Sequence, residues 1–236
     1  MERPAAPILN APGILKWLAA AFILIHAVRA LLPEHVDFWI LRAFAFESSL
    51  YTVAHERGIE TVAMFAGPVT HILLHGDELM HLVINTTLML AFGSPVARRT
   101  GASWFAGFFV LSGVAGALGW FVLHPFSPGL LVGASGAISG AIGGYVRLGM
   151  QKRPARGGPM LLRDRRLAVP LALAWLGLNF FFGVFGAAIF GIDARIAWEA
   201  HLGGFVFGFL AINMFDGRGA AADDPMDHGF INTDRE

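Results

Sequence analysis

The sequence predicts an all-α, polytopic membrane protein in which six transmembrane helices pack as a bundle. Of the 236 residues, 56% are hydrophobic and only 14% are charged, whereas soluble proteins average about 25% charged residues. Apolar segments of about 20 residues, the length of a membrane helix, recur along the chain. Basic residues are concentrated in alternate connections between these segments, as the positive-inside rule requires. The chain contains no cysteine, which excludes disulfides, thiolate chemistry and cysteine-based metal sites.

The predicted elements follow from these apolar segments. Residues 1–12 form a Pro- and Ala-rich N-terminal segment. The membrane domain covers 13–215, with spans at roughly 13–32, 79–97, 103–123, 132–150, 167–190 and 195–215. Arg29 lies near the end of the first span, where a long basic side chain can reach the membrane surface. The acidic segment 216–236 is interpreted as a solvated cytoplasmic tail.

The connection 33–78 is the longest in the predicted bundle. It is too polar to span a membrane, yet residues 38–41 and 44–46 are apolar and aromatic. Such composition is typical of chain that lies in the bilayer interface. Long loops between helices that are otherwise closely connected are more often functional than structureless. We therefore expect this outer loop to contribute to the architecture of the site.

The distribution of Lys and Arg predicts the orientation. Basic residues lie at Arg98 and Arg99 and again between 147 and 166, whereas the loop 33–78 has only Arg42 and Arg57. The first two regions are therefore predicted to be cytoplasmic, which places both termini inside and the loop 33–78 outside. The N-terminus shows neither a removable signal peptide nor a long transit-like extension, which favours a bacterial inner (cell) membrane.

Four polar side chains are predicted at one depth in the membrane. With this orientation, His81 and Asn85 lie early in span two, Ser135 early in span four and His201 early in span six. A rise of about 1.5 Å per residue puts all four roughly 5 to 10 Å below the outer surface. Such groups are costly in hydrocarbon unless they face one another or water, so they are candidates for a functional site.

Small residues accompany both Ser135 and His201, and they allow helices to approach closely. Close packing of spans four and six would bring these two side chains within hydrogen-bond reach. The competing interpretation is that these small residues only allow close helix packing and that the site has no catalytic role. The predicted helix-packing glycines are Gly133, Gly136, Gly140, Gly204 and Gly208.

The residue types favour nucleophilic catalysis. A serine hydroxyl becomes nucleophilic when a base takes its proton, and a neutral imidazole is suited to this role. Glu199 is two residues from His201, and neighbours at this spacing point to different faces of a helix. The prediction is therefore a Ser135–His201 dyad. The amide of Asn85, the ring N–H of His81 and the backbone N–H of Ser135 could donate to an oxyanion.

These residues resemble the motifs of the rhomboid family of intramembrane serine proteases. The resemblance rests on Gly133-Ala134-Ser135-Gly136, on Ala200-His201-Leu202-Gly203-Gly204 and on His81-Leu82-Val83-Ile84-Asn85, and it covers roughly 13–215. It implies a rhomboid-like bundle with Ser135 as nucleophile, His201 as general base, and His81 with Asn85 in the oxyanion hole. It also implies membrane-protein substrates that are cleaved in or near a transmembrane segment, on the outer or periplasmic side.

The chain departs from the family pattern at three places. Ala66-Gly67-Pro68-Val69 precede Thr70-His71 where the outer loop of the family commonly has a Trp-Arg pair. Ser139 stands where members often carry an aromatic residue that stacks on the catalytic histidine. His75 and His81 are six positions apart, one more than is usual.

Other functional classes fit less well. His71 and His75 have helical spacing, but neither is followed by Glu, so the HExxH zinc pattern is absent and no metal site or cofactor is predicted. A haem protein could pair His81 with His201 but would leave Ser135 and Asn85 without a role. A transporter usually shows internal repeats, and this sequence shows no convincing repeat. The remaining alternative is a catalytically inactive, rhomboid-like binding factor. The expected partners are the lipid bilayer and membrane-protein substrates, with no nucleic acid, and the oligomeric state is left open.

Overall fold

The computed structural model describes residues 11–57, 62–150, 165–190 and 197–216, and most of this backbone is helical. Three predicted regions therefore lie wholly or largely outside the described residues. They are the N-terminal segment up to residue 10, the basic loop from 151 to 164 and the acidic tail from 217 onward.

The described elements follow one another along the chain. They begin with α1 (Gly13–Ala30), α2 (Glu34–Phe44), β1 (Phe46–Glu47), α3 (Ser48–Arg57), α4 (Val62–Thr70), α5 (Leu79–Leu88) and α6 (Ser94–Thr100). A π-helical turn at Met89–Gly93 joins α5 to α6, and a 3₁₀ turn at His71–Leu73 follows α4. The remaining elements are α7 (Ala102–Leu123), β2 (Leu130–Leu131), α8 (Ser135–Gly149), α9 (Arg165–Phe190) and α10 (Trp198–Ala211).

Four helical segments are long and apolar enough to cross a membrane, as judged by length and composition. They are α1, the continuous segment Leu79–Thr100, α7 and the portion Ala168–Phe185 of α9. The helices in the predicted fourth and sixth spans are shorter, with 15 residues in α8 and 14 in α10. Helix α8 begins three residues after the predicted start because Gly133 has a φ of +118°, which is incompatible with a right-handed helix.

The prediction of an all-α fold needs one correction. Strand β1 pairs in antiparallel fashion with β2, with Phe46 opposite Leu131 and Glu47 opposite Leu130. Beyond the strands, the Ser49 N–H donates to the carbonyl of Ser127 at 3.0 Å. These extended stretches lie in predicted loops, and pairing satisfies backbone groups that would otherwise be costly to bury. The sheet docks the outer loop onto the connection that leads into α8.

Helix α8 lies at the centre of the described bundle. Every residue from 136 to 144 in it is buried. Its apolar side chains, such as Ile138 and Ile142, join one hydrophobic cluster with Phe105, Phe108 and Met89. A helix that is buried on all sides needs small side chains wherever a neighbouring backbone approaches it. This requirement explains the glycines along α8.

The closest helix crossing lies between α8 and α10. A Cβ atom built on Gly204 would lie 2.0 Å from the carbonyl oxygen of Gly136, and one on Gly208 would lie 1.9 Å from that of Gly140. These obstacles are backbone atoms, so no change of rotamer can relieve them. The two helices therefore meet backbone to backbone at these four positions.

We predict that Gly208→Ala separates α8 from α10 and destabilises the protein. Overpacking a tight interior costs about 2 kcal/mol or more, which corresponds to a loss of roughly 4 to 8 °C in Tm for a chain of this size. Thermal unfolding in detergent measures the effect. Gly177→Ala in α9 is the matched control, because a Cβ atom at Gly177 would meet nothing within 4 Å. Equal Tm values for the two variants would contradict this account of the crossing.

Candidate active site

Ser135 is the first residue of α8, and a tight turn presents it there. The turn is fixed by Gly133, whose N–H donates to the carbonyl of His71 at 3.0 Å. The N–H of Ile138 bonds to the carbonyl of Ala134 at 2.8 Å. The N–H of Ser135 lies ahead of that bond, in the first turn, where backbone donors have no partner within the helix. This turn brings the hydroxyl and a free backbone donor together. Gly133 thus belongs to the turn, whereas the other four predicted packing glycines lie within helices.

His201 lies in the first turns of α10 and is only 8% exposed. Ala200, the residue before His201, lies close to Gly136, the residue after Ser135. A Cβ atom on Gly136 would lie 3.5 Å from the carbonyl oxygen of Ala200. Within the described residues Ser135 and His201 do not form a hydrogen bond with each other. Contacts between a nucleophile and its base are often long without substrate and shorten in the Michaelis complex.

His81 approaches the serine from α5. Its Nε2 atom lies 2.9 Å from the position of a Cβ built on Gly133, and Ser135 Oγ lies 3.8 Å from the same point. Asn85 is one turn further along the same face and is 3% exposed, and its Nδ2 donates to the carbonyl of His81 at 2.9 Å. Helices α5, α8 and α10 therefore converge on Ser135.

The tautomer of His81 follows from its second ring nitrogen. The Gly76 N–H donates to Nδ1 of His81 at 3.4 Å, a long hydrogen bond. Because Nδ1 accepts in this contact, the proton of the neutral ring lies on Nε2, the atom nearest to Gly133 and Ser135. The carbonyl of the same peptide unit, that of His75, accepts a hydrogen bond from Arg29 Nη1. The Arg29 guanidinium therefore holds the carbonyl group of the His75–Gly76 peptide, and the N–H group of the same peptide orients the His81 ring.

Arg29, which is predicted to reach the membrane surface, is covered by other parts of the protein. The residue is 5% exposed, and its Nε and Nη2 atoms bind the carboxylate of Asp37 at 2.6 and 2.9 Å. Asp37 is in α2, so its approach depends on how the outer loop folds and could not be predicted from the first span. A buried charge requires such a partner. The ion pair tethers the outer loop to the end of α1.

His71 and His75 have other environments. His71 Nδ1 bonds to the carbonyl of Gly67 at 2.9 Å. The ring of His75 packs on Phe22 and on His81, with centroid distances of 4.9 and 5.3 Å. The pKa of each of the two is lowered to about 4, chiefly by burial and, for His75, also by the nearby His81. Both rings are therefore neutral at pH 7, and His75 adds no positive charge beside His81.

The hydrogen-bond partner of His201 is not predicted from the sequence. Nδ1 of His201 is hydrogen-bonded to Oδ1 of Asn179, and Nδ2 of Asn179 donates to the carbonyl of Trp175 at 2.7 Å. Carboxylates are the usual third member of such a unit, and the sequence prediction names none. Glu199 instead bonds to His124 Nε2 at 2.9 Å, away from His201. A signal was present, because an amide within the apolar segment 167–190 is itself a functional candidate.

Comparison with known proteins gives the family. The model of the rhomboid domain matches residues 63–216, well over half of the chain and all four predicted catalytic and oxyanion residues. The chain belongs to the rhomboid family. Together with its apolar helices, this membership identifies an integral membrane protein of a protease family.

Two bacterial relatives illustrate the extent of the similarity. Rhomboid protease GluP of Bacillus subtilis (strain 168) is 31% identical over 143 residues, which are 61% of this chain and 24% of that protein. YdcA of the same organism, named as a candidate rhomboid protease, is 29% identical over 148 residues, which are 61% of this chain and 66% of YdcA. The chain thus matches less than two thirds of the length of either relative.

Two departures from the rhomboid pattern have structural counterparts here. At the place of the usual aromatic, Ser139 is fully buried in α8. An aromatic ring nevertheless lies near His201: that of Trp175 in α9, with a centroid distance of 6.4 Å. The outer loop without its Trp-Arg pair is tethered by the Arg29–Asp37 ion pair and by the β1–β2 sheet.

Proposed function

We propose that this chain is an intramembrane serine endopeptidase that uses Ser135 and His201 to hydrolyse peptide bonds in or near transmembrane segments. The observation that carries the proposal is the convergence of α5, α8 and α10 on Ser135. Each of these helices brings a different group: the hydroxyl with its backbone N–H, an imidazole, and a ring N–H with an amide. Membership of a protease family supports the same conclusion.

The reaction follows from these groups. Ser135 Oγ attacks the carbonyl carbon of the scissile bond while Nε2 of His201 takes the hydroxyl proton. The N–H groups of Ser135 and His81 and the amide of Asn85 donate to the oxyanion of the tetrahedral intermediate. The intermediate collapses to an acyl-enzyme when the protonated His201 gives its proton to the leaving amine. Water, deprotonated by His201, then hydrolyses the ester and restores Ser135.

The substrates in this proposal are membrane proteins with a transmembrane segment, and the surrounding lipid bilayer is the second partner. All catalytic groups are side chains and backbone amides, so the proposed mechanism requires no metal or cofactor. The competing proposal is an inactive, rhomboid-like factor that binds membrane proteins. It would retain the fold and lack turnover.

Incubation of the purified protein in detergent with a generic single-span substrate tests the function. We expect a cut in or near the substrate's transmembrane segment that is absent with Ser135→Ala. Ser139→Ala is the matched control, because this serine lies one turn further along α8. A well-folded protein that binds such substrates without cleaving them would support the inactive factor instead.

We further propose six spans with both termini in the cytoplasm and a site that opens to the outer side of a bacterial inner membrane. The prediction rests on the basic residues of the loops. Single cysteines introduced at 152–166 should be protected from an impermeant thiol reagent in intact cells, and those at 55–60 should react. The absence of native cysteines makes every label attributable to the introduced residue. Reversed labelling would overturn this orientation.

A further inference from the structure

Helix α9 contributes directly to the environment of His201. Asn179 and Trp175 are four residues apart and therefore lie on one face of the helix. Asn179 Oδ1 is hydrogen-bonded to Nδ1 of His201, and the ring of Trp175 lies 6.4 Å from that imidazole between centroids. His201 thus has its nearest polar partner on a different helix from Ser135.

We propose that Asn179 is a positioning residue that fixes the orientation and tautomer of His201, so that the catalytic unit is Ser135–His201–Asn179. This inference rests on the proposed function and extends it. An amide in this position corresponds chemically to the third residue of the Cys-His-Asn proteases, which orients the imidazole without a negative charge.

The hydrogen bonds determine which atoms face each other. Nδ2 of Asn179 donates to the carbonyl of Trp175 at 2.7 Å, so the amide oxygen is the atom directed at His201. An oxygen only accepts, and Nδ1 of His201 must therefore carry the proton. The other ring nitrogen, Nε2, is then unprotonated and free to take the proton of Ser135. The opposite tautomer would present an N–H to the serine and could not act as a base.

The same bond persists after proton transfer. When Nε2 gains the serine proton, the ring becomes an imidazolium whose Nδ1–H still donates to Asn179 Oδ1. Hydrogen bonds to a charged donor are roughly twice as strong as neutral ones. Asn179 therefore stabilises the state of His201 that accompanies the tetrahedral intermediate more than the resting state, and such differential interaction raises kcat.

The other polar side chains that could orient His201 do not form a hydrogen bond with it within the described residues. Glu199 on the same helix is bonded to His124 at the end of α7. His81 on α5 has its Nδ1 directed at Gly76. The hydroxyl of Ser139, the serine that replaces the usual aromatic, makes no hydrogen bond within the part of the chain that the structure describes. Among these residues, Asn179 is the one that bonds the imidazole.

Three substitutions at Asn179 separate positioning from packing. Asn179→Leu keeps the same number of side-chain heavy atoms in an apolar helix but removes the acceptor, so we expect kcat to fall about 10- to 100-fold, the range for loss of the hydrogen-bond partner of a functional histidine, with KM unchanged within about threefold. Asn179→Ala should behave in the same way. Asn179→Asp restores an acceptor for the Nδ1–H and should recover most of the lost kcat. Leu178→Ala, on the exposed neighbouring position of α9, is the matched control and should leave kcat unchanged.

The readouts are cleavage of the single-span substrate, the rate of covalent labelling of Ser135 by a fluorophosphonate, and the Tm of each variant in detergent. Wild-type kcat and labelling rate in Asn179→Leu would overturn the positioning role while leaving the proposed protease intact. Equal losses in the Leu and Asp variants, with Tm lowered in both, would assign Asn179 to packing. A wild-type protein that neither cleaves nor labels would instead refute the proposed function itself.

Discussion

Replacement of either Ser135 or His201 by alanine should abolish both proteolysis and labelling by a fluorophosphonate serine probe. The wild-type protein should be modified at Ser135 and at no other serine, because this hydroxyl is the one that the proposed mechanism pairs with the His201 imidazole. We expect each variant to lose on the order of 10⁴- to 10⁶-fold in kcat, and the double variant to lose no more than the single ones. Members of one catalytic unit are strongly non-additive in this way.

The controls for this experiment are in the same helices. Ser139 and Ser112 are fully buried, and neither hydroxyl has a hydrogen-bond partner within the described residues. Ser139→Ala should therefore label at the wild-type rate. Glu199→Gln should also retain labelling, because its carboxylate contacts His124 rather than His201. A folded His201→Ala protein that labels as fast as the wild type would show that Ser135 is not activated by this imidazole.

Part of the geometry of the candidate site could be predicted, because some of its signals are local in sequence. The glycines around Ser135 predict a close helix crossing, and the structure has backbone contacts between Gly136 and Gly204. The i, i+4 spacing of His81 and Asn85 predicts a shared face, and a hydrogen bond joins Asn85 to the His81 carbonyl. Helical periodicity determines the shared face of His81 and Asn85, and the small residues of α8 and α10 mark the faces that can approach closely.

The remainder depends on contacts between residues distant in sequence. The Arg29–Asp37 pair requires α2 to approach the end of α1, and the β1–β2 sheet pairs Phe46 with Leu131, 85 positions further along the chain. The bond between Asn179 and His201 depends on the rotation of α9 about its own axis. That rotation is set by packing such as that of Gly183, where a Cβ atom would lie 2.4 Å from the Trp198 ring. Neither hydropathy nor residue spacing within one helix encodes these relations.

The second large effect is expected for the oxyanion donors. Asn85→Ala should lower kcat about 10- to 1,000-fold, the range for loss of one such donor, with KM and Tm largely unchanged. The amide lies on the face of α5 that presents His81 to Ser135, and its one hydrogen bond within the described residues is to the carbonyl of its own helix. Its second N–H is therefore available to a developing negative charge. Steady-state kinetics on the single-span substrate measures the loss.

The matched control is Thr87→Val, which removes a polar group from an exposed position two residues further along α5. It should leave kcat unchanged. His81→Ala should lose kcat as Asn85→Ala does, because it removes the Nε2–H that points toward Ser135, and the losses in the double variant should be less than multiplicative if both groups bind one oxyanion. Unchanged kcat in Asn85→Ala would return this amide to a purely structural role within α5. Loss of Tm in parallel with kcat would do the same, since a donor used only in the transition state does not stabilise the resting fold.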